Sequence, residues 1–173
     1  IGKAVADKLS KYDAAITGTI VIIAGTTNAY IAEELLEKLK KKGVKIAKIV
    51  LKRNDIHYPK PKVLSISQAT ELGTIYKIDH LKKIRDTAKK FKLKIHMDGA
   101  RLANAIAHLS CEPKETTIAC GVDVLCLGGP KNGLSIGEAI IFFNANLVEE
   151  FAYRCKQAGQ LASKMRFIAA QWL

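Results

Sequence analysis

The feature that most constrains the fold of this chain is the alternation of short apolar, β-branched segments with amphipathic helical patterns. The first such unit has an apolar run at residues 20–24, a helical pattern at 30–42 and a second apolar run at 46–51. Residues 1–54 are therefore interpreted as a βαβ-like N-terminal segment. Because parallel strands need a crossover that is usually a helix, we predict an α/β fold with a mainly parallel sheet and helices on both faces.

The pattern continues through the rest of the chain, where strands are predicted at residues 63–67, 93–97, 122–127 and 139–143. Between the first two strands, Asp79 is placed to cap a helix. The buried stripe of that helix is predicted to comprise Leu81, Ile84, Ala88 and Phe91. Further helices are predicted at residues 102–109, from Pro113, and as one long helix from Asn146 onward. The length of 173 residues favours one structural domain, with 55–173 as its second portion.

Composition excludes several classes of protein. A hydrophobic fraction of 49% with 25% charged residues is typical of a globular protein, and no apolar run approaches the ~20 residues of a membrane span. The net charge of +12 is compatible with nucleic acid, an anionic ligand or solvated helix faces. The lysines cluster at residues 38–42 and 82–94, on polar helix sides without interleaved aromatics, so solvated faces are favoured. No membrane and no specific nucleic acid partner is expected.

The cysteines and histidines show no metal-site pattern. Cys111, Cys120, Cys126 and Cys155 lie at irregular spacings without a C-x-x-C pair, which argues against a zinc site and against a disulfide framework. We expect reduced thiols and a cytoplasmic protein. His57, His80 and His108 lack metal-ligand spacing and are expected at the surface, so no metal is predicted.

Three polar turns follow predicted strands, at residues 68–73, 98–101 and 128–133. Ligands of open α/β sheets bind beyond the carboxyl ends of the strands, and neighbouring strands are only ~4.8 Å apart. Asp98 and Arg101 in one turn could therefore share a crevice with Lys131 in the next. Taken alone, Asp98 also fits a helix N-cap, and Lys131 also fits a phosphate ligand or a solvated side chain.

Four motifs together resemble a known family. The stretch His96-Met97-Asp98-Gly99-Ala100-Arg101 is similar to the H-M-D-G-A-R motif of threonine aldolases, in the β-eliminating lyase group of fold-type I pyridoxal-phosphate (PLP) enzymes. Residues 67–74, 128–133 and 160–166 resemble further signatures of a bacterial branch, in the same order. The resemblance covers residues 55–173, and the chain is interpreted as a truncated or internally rearranged member, with 55–173 as the catalytic portion.

The resemblance implies PLP as cofactor and a role for each motif residue. Lys131 would be the Schiff-base lysine, Asp98 would face the pyridine nitrogen, and Arg101 would help to hold the substrate carboxylate. Cofactor contacts are also expected from Gln68 and from Gly25 and Thr26, which resemble a shortened phosphate turn. Pro130 departs from the family, which commonly has a hydroxyl residue there. His96 is expected to support the site structurally, because it shares the face of Asp98 along the strand.

The activity implied is cleavage of L-threonine or L-allo-threonine to glycine and acetaldehyde. The base for the substrate hydroxyl is left open between Glu71, Thr70, Gln68 and a bound water. The alternatives are another fold-type I reaction on an amino acid, or an inactive fragment acting as a structural or basic binding module. A homodimer or homotetramer is expected, since apolar residues of the terminal segment predict a partner. These residues are Phe151, Ala152, Cys155, Leu161, Phe167, Ile168 and Trp172.

Overall fold

The structure is a computed structural model that describes residues 56–57, 61–70 and 72–173. The predicted elements at residues 20–24, 30–42 and 46–51 lie outside the described residues, as do Gly25, Thr26 and Glu71. The first described strand begins at Val63.

Among the described residues, four strands form one sheet, in the order β1 (Val63–Ser67), β2 (Lys94–Asp98), β3 (Val124–Gly128) and β4 (Glu138–Phe142). The first three are parallel, and β4 runs antiparallel to β3. The expectation of a mainly parallel α/β sheet is confirmed. The first strand has the predicted bounds, and the other three differ from their predicted bounds by one or two residues.

The crossovers between parallel strands are helical. Helix α1 (Ile78–Lys90) joins β1 to β2, and α2 (Leu102–Leu109), α3 (Pro113–Thr116) and a 3-10 turn (Ile118–Cys120) join β2 to β3. The predicted cap of α1 is wrong, because Lys77 is the N-cap and makes no side-chain cap hydrogen bond. Asp79 lies instead in the first turn, where its negative charge suits the positive end of the helix dipole.

The core lies between one sheet face and the crossover helices. Side chains alternate along each strand, so Ile66, Met97 and Leu125 point to the same side and pack with Leu81 of α1 and Leu102 of α2. The predicted stripe of α1 is confirmed, since Leu81 and Ala88 are buried and Ile84 and Phe91 are partly buried.

The other sheet face carries more polar side chains, among them Ser65, His96 and Cys126. Phe142 of β4 belongs to this face, since it pairs with Val124 in register. Its ring meets that of Phe151 edge-on, with 4.8 Å between centroids. Phe151, the first residue of a later helix, therefore contacts this second face at its outer strand.

The predicted long helix from Asn146 onward is wrong. The segment forms a 3-10 turn (Ala145–Leu147), α4 (Phe151–Gln157), α5 (Met165–Ala169) and a last 3-10 turn (Ala170–Trp172). Glu150, Gly159 and Lys164 have φ values of 58°, 69° and 61°, in the left-handed region. A right-handed helix cannot continue through that backbone conformation, so each of these residues separates two short elements. Across the described part of the chain, no helix has the length and apolar character needed to cross a membrane.

Candidate active site

Asp98 ends β2, with Ser67 and Cys126 as its register partners on the two neighbouring strands. Its Oδ1 accepts a hydrogen bond from the backbone N–H of Ala100 at 2.9 Å. Helix α2 begins only at Leu102 and has Arg101 as its N-cap, so the N-cap interpretation of Asp98 is wrong. The carboxylate belongs to the strand end, on the same face as His96.

His96 lies between two polar partners on that face. Its Nδ1 is 2.8 Å from the hydroxyl of Ser65 on β1, and its Nε2 is 3.3 Å from the sulfur of Cys126 on β3. Both ring nitrogens are therefore engaged by adjacent strands. This arrangement agrees with the expected structural role, because it fixes the ring beneath Asp98 and links three strands.

Lys131 lies in the turn that follows β3. The turn is closed by backbone hydrogen bonds from Gly129 to the carbonyl of Gly137 at 2.9 Å and from Leu134 to the carbonyl of Gly129 at 3.0 Å. The Lys131 side chain is exposed and makes no hydrogen bond or ion pair with any other described residue. Because β2 and β3 are parallel neighbours, Asp98 and Lys131 lie at the same edge of the sheet.

Asn132, which the sequence analysis did not assign a role, joins the two turns that carry Asp98 and Lys131. Its Nδ2 donates to the carbonyl of Gly99 at 3.1 Å, to that of Ala100 at 3.3 Å and to that of Gly128. Its Oδ1 accepts from the backbone N–H of Ala103 at 2.9 Å. The two turns also touch directly, since a Cβ on Gly128 would lie 3.3 Å from the Cα of Ala100. The turn after β2 and the turn after β3 are therefore directly connected.

Arg101 is half-buried and lies at the junction between the turn after Asp98 and helix α2. Its backbone position therefore belongs to the same edge. Asp98, Arg101 and the Lys131 turn therefore lie on adjacent elements at the carboxyl ends of β2 and β3.

Gln68 and Thr70 lie in the turn after β1, at the same end of the sheet. The Gln68 backbone N–H donates to the carbonyl of Asp98 at 2.9 Å. Its side-chain amide donates to the carbonyl of Tyr76 and accepts from the N–H of Tyr76, both at 2.9 Å, and the residue is 0% exposed. The Thr70 hydroxyl is 2.7 Å from that of Thr74 and is 1% exposed. Both side chains therefore serve to shape their own turn.

Cys126 is the register partner of Asp98, and its surroundings are acidic. Burial raises the pKa of the Cys126 thiol, and the nearby carboxylates of Asp98 and Glu138 raise it further. Glu138 opens β4 opposite Gly128, so it belongs to the rim of this edge. Glu138 reaches this position only because β4 pairs antiparallel with β3. The local sequence around Glu138 does not predict that pairing.

Two surface hollows of about 530 and 540 Å³ lie in the described part of the molecule. The first is at the amino end of the sheet, beside Lys94 and Asp123. The second lies between α2 and β4, beside Ile106 and Trp172. Asn132 lines the second hollow, which therefore adjoins the turn that carries Lys131, whereas Asp98 and Lys131 line neither hollow.

Among residues 56–57, 61–70 and 72–173, no group of three or more His, Cys, Asp or Glu side chains could hold a metal ion. All four cysteines are free thiols. His57, His80 and His108 are exposed, as predicted.

Comparisons with known proteins agree with this geometry. The chain is 62% identical over 128 residues to the low specificity L-threonine aldolase of Pseudomonas aeruginosa, and 60% identical over the same length to that of a Pseudomonas species. These matches cover 74% of this chain but only 37% of each relative. The structure is also similar to a Leishmania major threonine aldolase, with a TM-score of 0.62 at 23% identity, over 91% of this chain and 49% of that one.

The family model for beta-eliminating lyases matches residues 6–173, and so includes most of the N-terminal segment that the motifs left unassigned. This match covers nearly the whole chain and contains all the turns of the candidate site. The chain therefore belongs to the beta-eliminating lyase family.

Proposed function

We propose that this chain contributes the catalytic core of a PLP-dependent aldehyde-lyase that cleaves L-threonine and L-allo-threonine to glycine and acetaldehyde. The observation that carries the proposal is the placement of Asp98 and Lys131 at the carboxyl ends of two adjacent parallel strands, in turns joined by Asn132. Membership of the beta-eliminating lyase family and the names of the Pseudomonas relatives support the same chemistry.

The residues present suit PLP. Asp98 has one carboxylate oxygen bonded to Ala100, and its Oδ2 makes no hydrogen bond with other described residues. That oxygen can accept from a protonated pyridine nitrogen. Lys131 offers an amine without a partner among the described residues. PLP, when bound, supplies an electron sink for the charge left on the substrate α carbon after the bond to the β carbon breaks.

The remaining roles are those that the family resemblance implies. Arg101 would bind the substrate carboxylate, because a planar guanidinium can donate two parallel hydrogen bonds to it. Gly25 and Thr26 would contribute to the phosphate site. Gln68 would contribute to cofactor binding chiefly by holding its turn against Asp98, because both ends of its amide already bond to Tyr76.

The substrate hydroxyl must lose a proton when the carbon–carbon bond breaks. The hydroxyl of Thr70 is buried against Thr74, and the amide of Gln68 is neutral and engaged. Of the candidates from the turn after β1, Glu71 or a water that it orients is therefore preferred. The assembled enzyme would be a cytoplasmic homodimer or homotetramer, in which other parts of the polypeptide or a second subunit complete the site.

The experiment is titration of the purified chain with PLP, followed by absorbance, with Lys131→Ala and a Lys83→Ala control. Lys83 is exposed on α1, far along the chain from the site, so its loss should leave cofactor uptake intact. We expect the absorbance of lysine-bound PLP in the unmutated chain and in Lys83→Ala, and none in Lys131→Ala. Far-ultraviolet circular dichroism should be the same in all three.

Product analysis then identifies the reaction. Acetaldehyde and glycine from L-threonine support the proposal, whereas a keto acid would indicate a different reaction on the same cofactor. An absorbance band that persists in Lys131→Ala would overturn the assignment of the lysine.

A further inference from the structure

The side chain of Asn132 makes four hydrogen bonds within the candidate site. Its side chain reaches the carbonyls of Gly99 and Ala100, in the turn after β2, and that of Gly128, at the end of β3. These acceptors are up to 33 residues away along the chain. The residue immediately before Asn132 is Lys131, so the bonds restrain the backbone that carries the lysine.

The same side chain completes the start of helix α2. The first backbone N–H groups of a helix have no acceptor within it, and the N-cap residue Arg101 makes no side-chain cap hydrogen bond. Asn132 Oδ1 accepts from one of these groups, the N–H of Ala103, at 2.9 Å. A residue of the lysine turn therefore supplies the cap that local sequence would otherwise provide.

Only a primary amide satisfies both sets of partners. The NH₂ group carries two hydrogens for three carbonyls, so one hydrogen is shared between two of them, and the amide oxygen accepts from the helix. An aspartate of the same shape would keep the acceptor for Ala103 but would place a negative oxygen against three carbonyl oxygens. A leucine of similar size would leave all of these groups without a side-chain partner.

We propose that Asn132 is a positioning residue, which sets the distance and orientation between the turn that carries Lys131 and the turn that follows Asp98. The inference rests on the proposed function in one respect, since it takes Lys131 and Asp98 as the two groups that must meet one cofactor. The physical reason is that a displacement of about 1 Å between reacting groups can cost on the order of 10²-fold in rate. Asn132 itself touches neither substrate nor cofactor in this role.

The test compares Asn132→Ala, Asn132→Asp and the control Asn104→Ala in the full chain. Asn104 is an exposed asparagine on α2 whose side chain has no hydrogen bond to another described residue. Two readouts are needed. The first is amide hydrogen exchange at Ala103 and Leu134, which needs no cofactor, and the second is the dissociation constant for PLP from its absorbance titration.

In Asn132→Ala we expect exchange at Ala103 and at Leu134 to accelerate by roughly ten-fold, because the cap is lost and the turn is released. In Asn132→Asp the Ala103 amide should remain protected, while Leu134 exchanges faster and the dissociation constant for PLP rises by about ten-fold, or 1.4 kcal/mol. A residue that served only to stabilise the fold would lose PLP affinity in proportion to its loss of thermal stability. The Asp variant should lose affinity at temperatures well below its melting transition.

The two hypotheses fail in different ways. If the unmutated chain takes up no PLP, the proposed function fails, and the exchange measurements still decide the role of Asn132. Unchanged exchange at both amides in Asn132→Ala, or an unaltered PLP affinity in Asn132→Asp alongside a binding wild-type chain, would overturn the inference.

Discussion

The backbone N–H of Gly99 donates to the carbonyl oxygen of Cys126 over 2.7 Å, so the turn that follows Asp98 lies directly against β3. A side chain at Gly99 has no room: its Cβ would lie 2.7 Å from Cδ1 of Leu125 and 3.1 Å from the Cys126 oxygen. The two turns of the candidate site can therefore lie this close together only because residue 99 has no β carbon.

Replacement of Gly99 by alanine should destabilise the chain by about 1–3 kcal/mol, because Leu125 is a core residue and β3 must shift to admit the methyl group. Urea unfolding followed by circular dichroism measures this effect. Ala107→Ser, at an exposed position of α2, should change the free energy of unfolding by no more than about 0.5 kcal/mol. Equal stabilities for the two variants would show that the turn is not packed as described.

The acidic surroundings of Cys126 predict the behaviour of its thiol. Since burial and the charges of Asp98 and Glu138 hold its pKa above the ordinary value, little thiolate should be present at neutral pH. Glu138→Gln removes one of these charges, so the pKa should fall and alkylation by iodoacetamide at fixed pH should accelerate. Peptide mass spectrometry reports the rate for this cysteine alone.

The matched control for that measurement is Glu149→Gln, which removes an exposed carboxylate that does not influence Cys126. It should leave the alkylation profile unchanged. Slower alkylation of Cys126 in Glu138→Gln than in the control would contradict the conclusion that Glu138 raises the pKa of this thiol.

We expect Asp123 to make a contribution to the free energy of unfolding that depends on pH. Burial pushes its pKa upward, but hydrogen bonds from the Asn144 side chain and the Ile95 backbone N–H, both at 2.8 Å, together with Lys94, outweigh burial and hold the pKa below its ordinary value. A lowered folded pKa means that the stabilisation is complete above the unfolded value of about 3.9 and is lost as pH falls through the folded value.

Asp123→Ala should therefore cost about 1–3 kcal/mol near neutral pH, and the difference from the unmutated chain should shrink below about pH 4. Chemical unfolding between acidic and neutral pH tests this. Glu149→Ala serves as an exposed carboxylate control, for which a pH-independent difference near zero is expected. A difference for Asp123→Ala that grows as pH falls would have the wrong sign and would refute the explanation.

Exposed apolar side chains in the terminal segment lead us to expect self-association. Leu161, Met165 and Phe167 are 57%, 42% and 67% exposed, an apolar set that a soluble surface seldom leaves uncovered. We expect a homodimer at micromolar concentration by sedimentation equilibrium. Phe167→Asp should shift the equilibrium toward monomer, whereas Lys156→Ala, at an exposed polar position of α4, should not. A single monomeric species with and without PLP would contradict the expected oligomer.

The sequence by itself determined the alternation of strands and helices from residue 63 onward and the apolar stripe of α1. It also determined that Asp98 and Lys131 lie near the carboxyl ends of two strands, although Asp98 is the last residue of β2 and does not follow it. These features follow from local periodicity and from glycine-containing turns, whose physical causes lie within a few residues. The prediction of one long terminal helix was wrong because Glu150 and Lys164 have left-handed backbone conformations. That conformation is unusual for these residue types and cannot be predicted from the spacing of apolar residues.

Only the tertiary structure decided which residues complete the site. Strand order placed β2 beside β3, and the antiparallel pairing of β4 brought Glu138 opposite Gly128. Asn132 bonds to partners that lie 29 to 33 residues away, with no periodic relation to its own position. Hydrogen bonds of this kind depend on register between separate elements, and register is set by the packing of the whole core against the sheet, which no short segment contains.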